Sequence, residues 1–302
     1  MPYSRENTNL ENFDDLFVGQ PLDIEKNLTH LLPQAQVLEN KSIYLQILSQ
    51  IALAQAMQKK FAEAHKTLDT AEAGLTSEYD LARVRILLER GRVFHQSDNI
   101  EAALSLFKKS YSLSKEHNFD FHTVNAAHMI AIIERDVDDK IKWNQTAIDL
   151  AQNTEDKRAS AWLGSLYNNL AQNYIEAGKF REALSSFEQC KKYGEDRGDI
   201  IVIRGAKWGI GRALRSLGSL DEAQNTQLSL LNEYKDIATK GELPIELLVV
   251  GRGMIYEELA EIHQAYMKKY ALLAYEDLSK DPWCIKLMPE RLEKMKQLSN
   301  SN

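Results

Sequence analysis

Apolar residues recur along this chain at three- and four-residue intervals. Leu104, Phe107 and Tyr111 form one such stripe, and Leu184, Phe187 and Cys190 another. That spacing predicts amphipathic helices, because residues three and four apart share one helix face. Alanine, leucine, glutamate and lysine are the commonest residues, and all favour helix. Signals for strands are nearly absent. Proline is scarce, and four of the six prolines lie near the ends, at 2, 21, 282 and 289. The pattern predicts an all-helical protein.

The stripes repeat. Segment 59–64 (KKFAEA) recurs at 98–103 (DNIEAA), 178–183 (GKFREA) and 218–223 (GSLDEA), so the closing alanines are 39, 80 and 40 residues apart. The gap of 80 is two periods and predicts one degenerate copy between. A second column, Ala52, Gly91, Ala171, Gly211 and Ala260, keeps the same register over its first four members. Small residues there let two helices approach closely, with Phe94, Tyr174 and Leu214 three residues on. Gly178 and Gly218, with Lys59 and Asp98 at matching places, fall between the two helices of a unit. Glycine there permits the left-handed conformation that ends a helix. A fixed period of this size marks a solenoid, in which each unit buries its apolar face against its neighbours. Such a molecule offers a long surface that holds something, rather than a catalytic pocket.

The two columns resemble the tetratricopeptide repeat family. Leu170-Ala171-Gln172-Asn173-Tyr174 followed by Gly178-Lys179-Phe180-Arg181-Glu182-Ala183 carries the likeness most fully. The family's usual unit has about 34 residues; here the period is 39–40, which predicts helices longer by about a turn and a half. Longer units of this kind resemble those of kinesin light chains and of bacterial peptide-sensing regulators. The resemblance implies an all-α, right-handed solenoid of about six helix pairs with a C-terminal capping helix. The units are placed near 42–75, 81–115, 120–153, 160–195, 200–235 and 245–280, with the cap at 281–299. Residues 21–302 are read as one solenoid domain and residues 1–20 as a flexible start. In the weak third unit no turn glycine is present, so Asp136 to Asp139 must serve as the turn, with Ala147 and Trp143 in the second helix. The second helix of the sixth unit, near Lys269 to Ser279, reads as shortened. Asp281-Pro282-Trp283 reads as a cap and first turn. Glu290 to Leu298 forms the shielding helix.

Composition narrows the function. The 302 residues are 44% hydrophobic and carry a net charge of −7. No basic run stands out, which argues against nucleic acid as a partner. No apolar stretch approaches the roughly 20 residues that cross a bilayer. Residues 1–12 are polar and lack a secretory core, and two cysteines make no disulfide framework. The expectation is a cytoplasmic protein that works without membrane, metal or cofactor. Catalytic constellations are missing as well: His117, His122 and His128 do not share one helix face, and no metalloprotease, nucleophile-elbow or phosphate-loop motif occurs. Cys190 lies on a core stripe and reads as a packed thiol. Gly205, Gly209 and Gly211 lie inside a helix and read as close-packing glycines. The chain is read as a non-enzyme.

In the tetratricopeptide architecture the first helices line the inner wall. Flanking the small column are Arg85, Leu88, Glu89, Arg92 and His95 in the second unit, and His122, Asn125 and Met129 in the third. The fourth unit supplies Ser165, Asn168, Asn169 and Gln172, the fifth Trp208, Arg212 and Arg215, and the sixth Glu257, Glu258 and Glu261. Asn168 and Asn169 are the most specific pair, because adjacent asparagines are poor helix formers. Asn168-Asn169-Leu170-Ala171 resembles a segment of kinesin light chain repeats, where such asparagines hold the backbone of an extended cargo peptide. A side-chain amide matches a peptide unit with both donors and acceptor. Tying neighbouring wall helices together is the other reading of the pair. Arg92, Arg212 and Arg215 suit ligand carboxylates or pair with nearby glutamates. The family's carboxylate clamp is matched only in part, by Asn125, Asn169, Lys207 and Arg212, with its opening lysine missing. Trp208 is placed as an exposed anchor for an apolar ligand side chain, whereas Trp143, Trp162 and Trp283 read as core filler. The expected function is a binding module that takes a peptide or flexible protein segment along residues 165–215. The alternative is an assembly protein, a homodimer joined through its ends or convex face.

Overall fold

The computed structural model describes residues 10–37, 39–240, 244–262 and 267–300, and every regular element among them is helical. The chain divides into two compact units, Met1–Trp162 and Leu163–Asn302.

In the first unit a 3-10 helix over Leu10–Leu16 precedes α1 (Pro21–Val37). Three helix pairs follow: α2 (Lys41–Met57) with α3 (Phe61–Ala73), α4 (Asp80–Gln96) with α5 (Ile100–Glu116), and α6 (Asp120–Ile133) with α7 (Val137–Gln152). A single turn, α8 (Lys157–Ser160), ends the unit. The second unit pairs α9 (Leu163–Glu176) with α10 (Phe180–Arg197), α11 (Ile200–Ser216) with α12 (Leu220–Lys240), and α13 (Ile245–Ile262) with α14 (Met267–Leu278). It ends in α15 (Pro282–Leu287) and α16 (Pro289–Asn300). Six helix pairs and a C-terminal cap are therefore present among the described residues.

Both columns do the work expected of them. Ala52 and Ala56 of α2 pack with Ala64, Leu68 and Ala71 of α3 and with Ala82 and Ile86 of α4. A Cβ on Gly91 would run into the Phe107 ring, one on Gly209 into Phe187, and one on Gly211 into Gln227. Gly205 differs from its neighbours: its missing side chain faces open space, so close packing does not explain it. The turn column holds Lys59, Asp98, Gly178 and Gly218 at φ of 63°, 62°, 71° and 84°. Each is followed by an amide that reaches back five residues, Lys60 to Gln55 O, Asn99 to Phe94 O, Lys179 to Tyr174 O and Ser219 to Leu214 O, at 2.8–3.0 Å. This is the left-handed C-terminal cap that satisfies the last carbonyls of each first helix. The third pair lacks it. There Asp136 accepts from the amides of Asp138 and Asp139 at 2.9 and 3.1 Å and starts α7 directly. Trp143 packs edge-on against Tyr111, ring centroids 5.0 Å apart.

Three differences from the sequence reading stand out. The flexible start expected for residues 1–20 lies outside the described residues over 1–9, and from residue 10 the chain forms a 3-10 helix that buries Leu10 and Phe13. Leu10 and Phe13 are buried against Ile24, Leu28 and Leu31 of α1 and Ile47 and Ile51 of α2. Trp283 is 56% exposed rather than core filler. Asp281 caps α15 through the amides of Trp283 and Cys284, and Cys284, not the indole, enters the core. The final cap is two helices, because Pro289 starts α16 after α15 has ended. α16 covers the last layer by burying Met295 against Ala260, Ala271 and Ala274.

Candidate functional site

In the second unit α11 lies beside both α9 and α13, so these three first helices form a wall. Asn168 and Asn169 sit mid-helix on α9 and are half-buried. Neither side-chain amide has a hydrogen-bond partner among the described residues. The reading in which they tie wall helices together therefore finds no support. Gln172, one turn beyond Asn168 and on its face, does bridge helices: Arg212 Nη1 donates to its Oε1 at 2.8 Å.

Arg212 begins a polar chain across the wall. Its guanidinium stands 5.6 Å from the Trp208 ring centroid, and its Nε lies 3.8 Å from Glu258 Oε1. Arg215 Nε donates to Glu258 Oε2 at 2.8 Å. Burial raises the Glu258 pKa, and the adjacent Arg215 and Arg212 only partly oppose that rise. Burial lowers the Arg212 pKa against the pull of the same carboxylate. Desolvation is thus the leading cost at Glu258 and Arg212, offset only in part by the close ion pair. The other two acidic positions do not meet the arginines of α11: Arg291 of α16 donates to Glu257, and Lys294 of α16 pairs with Glu261.

Trp208 is not the exposed anchor its position suggested. It is 8% exposed, its Nε1 donates to Met254 O at 3.1 Å, and it packs with Leu230, Leu231, Ile255 and Leu259. Because Gly209 receives Phe187 on one side of α11, the indole beside it fills the layer against α12 and α13. It supports Arg212 from below.

The corresponding wall of the first unit is closed by its own side chains. Gln50 of α2 donates to Glu89 of α4 at 3.2 Å. Arg92 donates to both oxygens of Glu89 at 2.7 and 2.8 Å, and through Nη2 to Asn125 Oδ1 of α6 at 2.7 Å. Arg92 and Asn125 are engaged in joining helices, and Asn125 is buried. Farther along, Arg85 is held by Asp14 of the 3-10 helix. Sequence reasoning placed Arg85 on the wall but missed this partner, 71 residues away in the chain.

Of the thiol and imidazole groups that the sequence offered, Cys190, His122 and His128 are buried among other side chains. Burial pushes the Cys190 thiol up to about 11, and its Sγ–H donates to Gly164 O at 3.2 Å, as a packed thiol should. His122 and His128 are buried on α6. Burial first, then the charges of Arg85 and Arg92 respectively, lower them to about 3 and about 4. Among the described residues no cluster of side chains is placed to hold a metal ion, and no helix is long and apolar enough to cross a membrane.

Residues 164–193, which are α9 and most of α10, match the tetratricopeptide repeat family. Among solved structures, the apo form of RapI aligns with a TM-score of 0.71 at 14% identity, covering 96% of this chain and 79% of that one. BtubC (BKLC) from P. vanneervenii aligns with a TM-score of 0.62 at 14% identity, over 79% of this chain and 95% of that one. NprR in complex with its cognate peptide NprX aligns with a TM-score of 0.55 at 14% identity, over 96% and 82%. Comparison with curated protein sequences gives no match. The fold is that of tetratricopeptide-repeat proteins, a solenoid of paired helices.

Proposed function

We propose that this protein is a non-catalytic interaction module whose second unit binds an extended peptide or a flexible protein segment along α9, α11 and α13. One observation carries the reading: Asn168 and Asn169 present two adjacent, half-buried amides that no described residue engages. A half-buried amide on a rigid helix is already partly desolvated and oriented, so a passing peptide backbone gains both of its hydrogen bonds at low ordering cost. Arg212 is held by Gln172, one turn beyond Asn168 on the same helix, and is able to exchange it for a ligand carboxylate. NprR, which shares the fold, is seen holding its cognate peptide, and that supports the choice of ligand class.

The test is selection of a random displayed peptide library on the full chain, followed by calorimetry of the enriched peptides. Two amide contacts at about 0.5–1.5 kcal/mol each imply roughly a five- to 150-fold loss of affinity in Asn168→Ala/Asn169→Ala, with an unfolding midpoint that is not lowered, because alanine favours helix more than asparagine does. Equal affinity for both proteins, or no enrichment, refutes the assignment.

A second reading, self-association as a homodimer through the C-terminal end, draws on the exposed Trp283, Ile285 and Leu287 of α15. Light scattering separates the two, since only this reading expects twice the monomer mass at micromolar concentration.

A further inference from the structure

The first unit carries a separate feature that the wall of the second does not explain. Residues 10–16 lie across the start of the helix stack, and their contacts are those of a bound peptide. Leu10 and Phe13 enter an apolar slot between α1 and α2, where Phe13 is only 3% exposed. Asp14 then meets Arg85 of α4 in a two-pronged ion pair, with Nη1 to Oδ2 at 2.9 Å. The same guanidinium covers the Phe13 ring at 4.8 Å from its centroid. One arginine thus reads an aromatic ring and the carboxylate that follows it, the pairing for which its planar, charged fork is suited.

Three observations separate this from ordinary core. First, the segment is short and kinked at Asn12 (φ −106°, ψ 26°), and it joins α1 through exposed residues 18–20, with Gly19 at φ +103° in open space. Second, the seat is deep on the helix side and open on the other: the Arg85 side chain is 7% exposed and that of Asp14 40%. Third, the seat has polar capacity that the segment leaves unused. Arg85 Nε and His122 Nδ1 are both buried without a hydrogen-bond partner, and His122 lies within the electrostatic reach of both Asp14 and Arg85. A fully buried, unpaired donor is costly, and a ligand with one more acceptor would relieve it.

We propose that the slot between α1 and α2, with Arg85 at its rim, is a peptide-binding site for an aliphatic residue followed three and four positions later by an aromatic and an acidic residue, and that residues 10–16 fill it as a tethered stand-in for an external segment of that chemistry. The burial of Leu10 and Phe13 sets the apolar spacing, and Arg85 sets the order of ring and carboxylate. An external peptide must displace the tether, so occupancy from outside depends on how readily residues 10–16 leave. The site involves only the first unit and stands whether or not Asn168 and Asn169 bind a ligand.

The probe is a fluorescein-labelled synthetic peptide of residues 10–18, read by fluorescence polarisation against the full chain. Phe13→Ala/Asp14→Ala in the full chain empties the seat and is expected to bind the probe at least tenfold more tightly than wild type. Adding Arg85→Gln to that variant is expected to abolish the gain. Equal binding to wild type and variant, or none to either, overturns the proposal. Hydrogen exchange on the unaltered wild-type chain gives an independent arm should the double variant fail to fold. Excess unlabelled peptide is expected to speed exchange at residues 10–16, while a peptide carrying Asp14→Asn does so at least tenfold less effectively. Exchange that is indifferent to the peptide also overturns the proposal.

Discussion

Asn144 occupies on α7 the place that Leu68 holds on α3, Phe107 on α5, Phe187 on α10 and Gln227 on α12, each eighth in its helix. The apolar members of that column are wholly buried. Gln227 is satisfied in part, since its Nε2 donates to Trp208 O at 3.0 Å. Asn144 is 1% exposed, and neither Nδ2 nor Oδ1 has a partner. A buried amide without hydrogen bonds costs about 1–3 kcal/mol relative to a filled apolar site of the same shape, and leucine is close to asparagine in shape. Asn144→Leu is therefore expected to raise the free energy of unfolding by about 1–3 kcal/mol, read from urea denaturation. An unchanged or lowered midpoint would show that the amide is satisfied in solution. The residue scale is also where sequence reading reached its limit. Asn168 and Asn169 are visible as unusual helix residues, but whether an indole such as Trp208 faces outward depends on which neighbour fills the adjoining layer. That layer is set by Phe187 entering at Gly209 and by Leu230 and Leu259 meeting the ring, contacts that no local pattern records.

Elements were more legible, because their limits are set by local chemistry. The left-handed turn column is an example: two of its four members are glycine, and the other two adopt the same conformation without it. A side chain in that region costs about 1 kcal/mol relative to glycine. Lys59 is exposed and makes no side-chain hydrogen bond or ion pair among the described residues, so little is lost by removing it. Lys59→Gly is expected to stabilise the chain by about 0.5–1 kcal/mol, measured as a higher midpoint with an unchanged denaturant slope. Destabilisation would mean that the turn is strained for another reason. α1 could have been read from the sequence too, since Ile24, Leu28, Leu31 and Ala35 follow helical spacing and are the residues it buries. The 3-10 helix could not: Leu10 and Phe13 look like isolated apolar residues in a polar start, and their burial follows from a slot made by α1 and α2.

At the scale of the whole molecule, the period itself carries the physics. Within each unit the main helix contacts run between elements one or two places apart in the chain, so stability is close to a sum of pair and neighbour terms. A lesion at one end should then stay there. Met295 of α16 is wholly buried against Ala260, Ala271 and Ala274, and truncating a buried methionine to alanine costs about 2–5 kcal/mol. Met295→Ala should loosen the cap and the last pair while leaving distant pairs alone. Native-state hydrogen exchange is expected to quicken in α13, α14 and α16 and to stay unchanged in α2 to α7, because local opening, not global unfolding, is the cheaper route to exchange. Uniform acceleration along the chain would contradict this, since it requires the helix pairs to unfold as one cooperative block. The outcome also bears on binding. If opening is local, a segment that settles on α9, α11 and α13 protects those helices without protecting α2 to α7, so protection maps can place a ligand on one unit before any complex is solved.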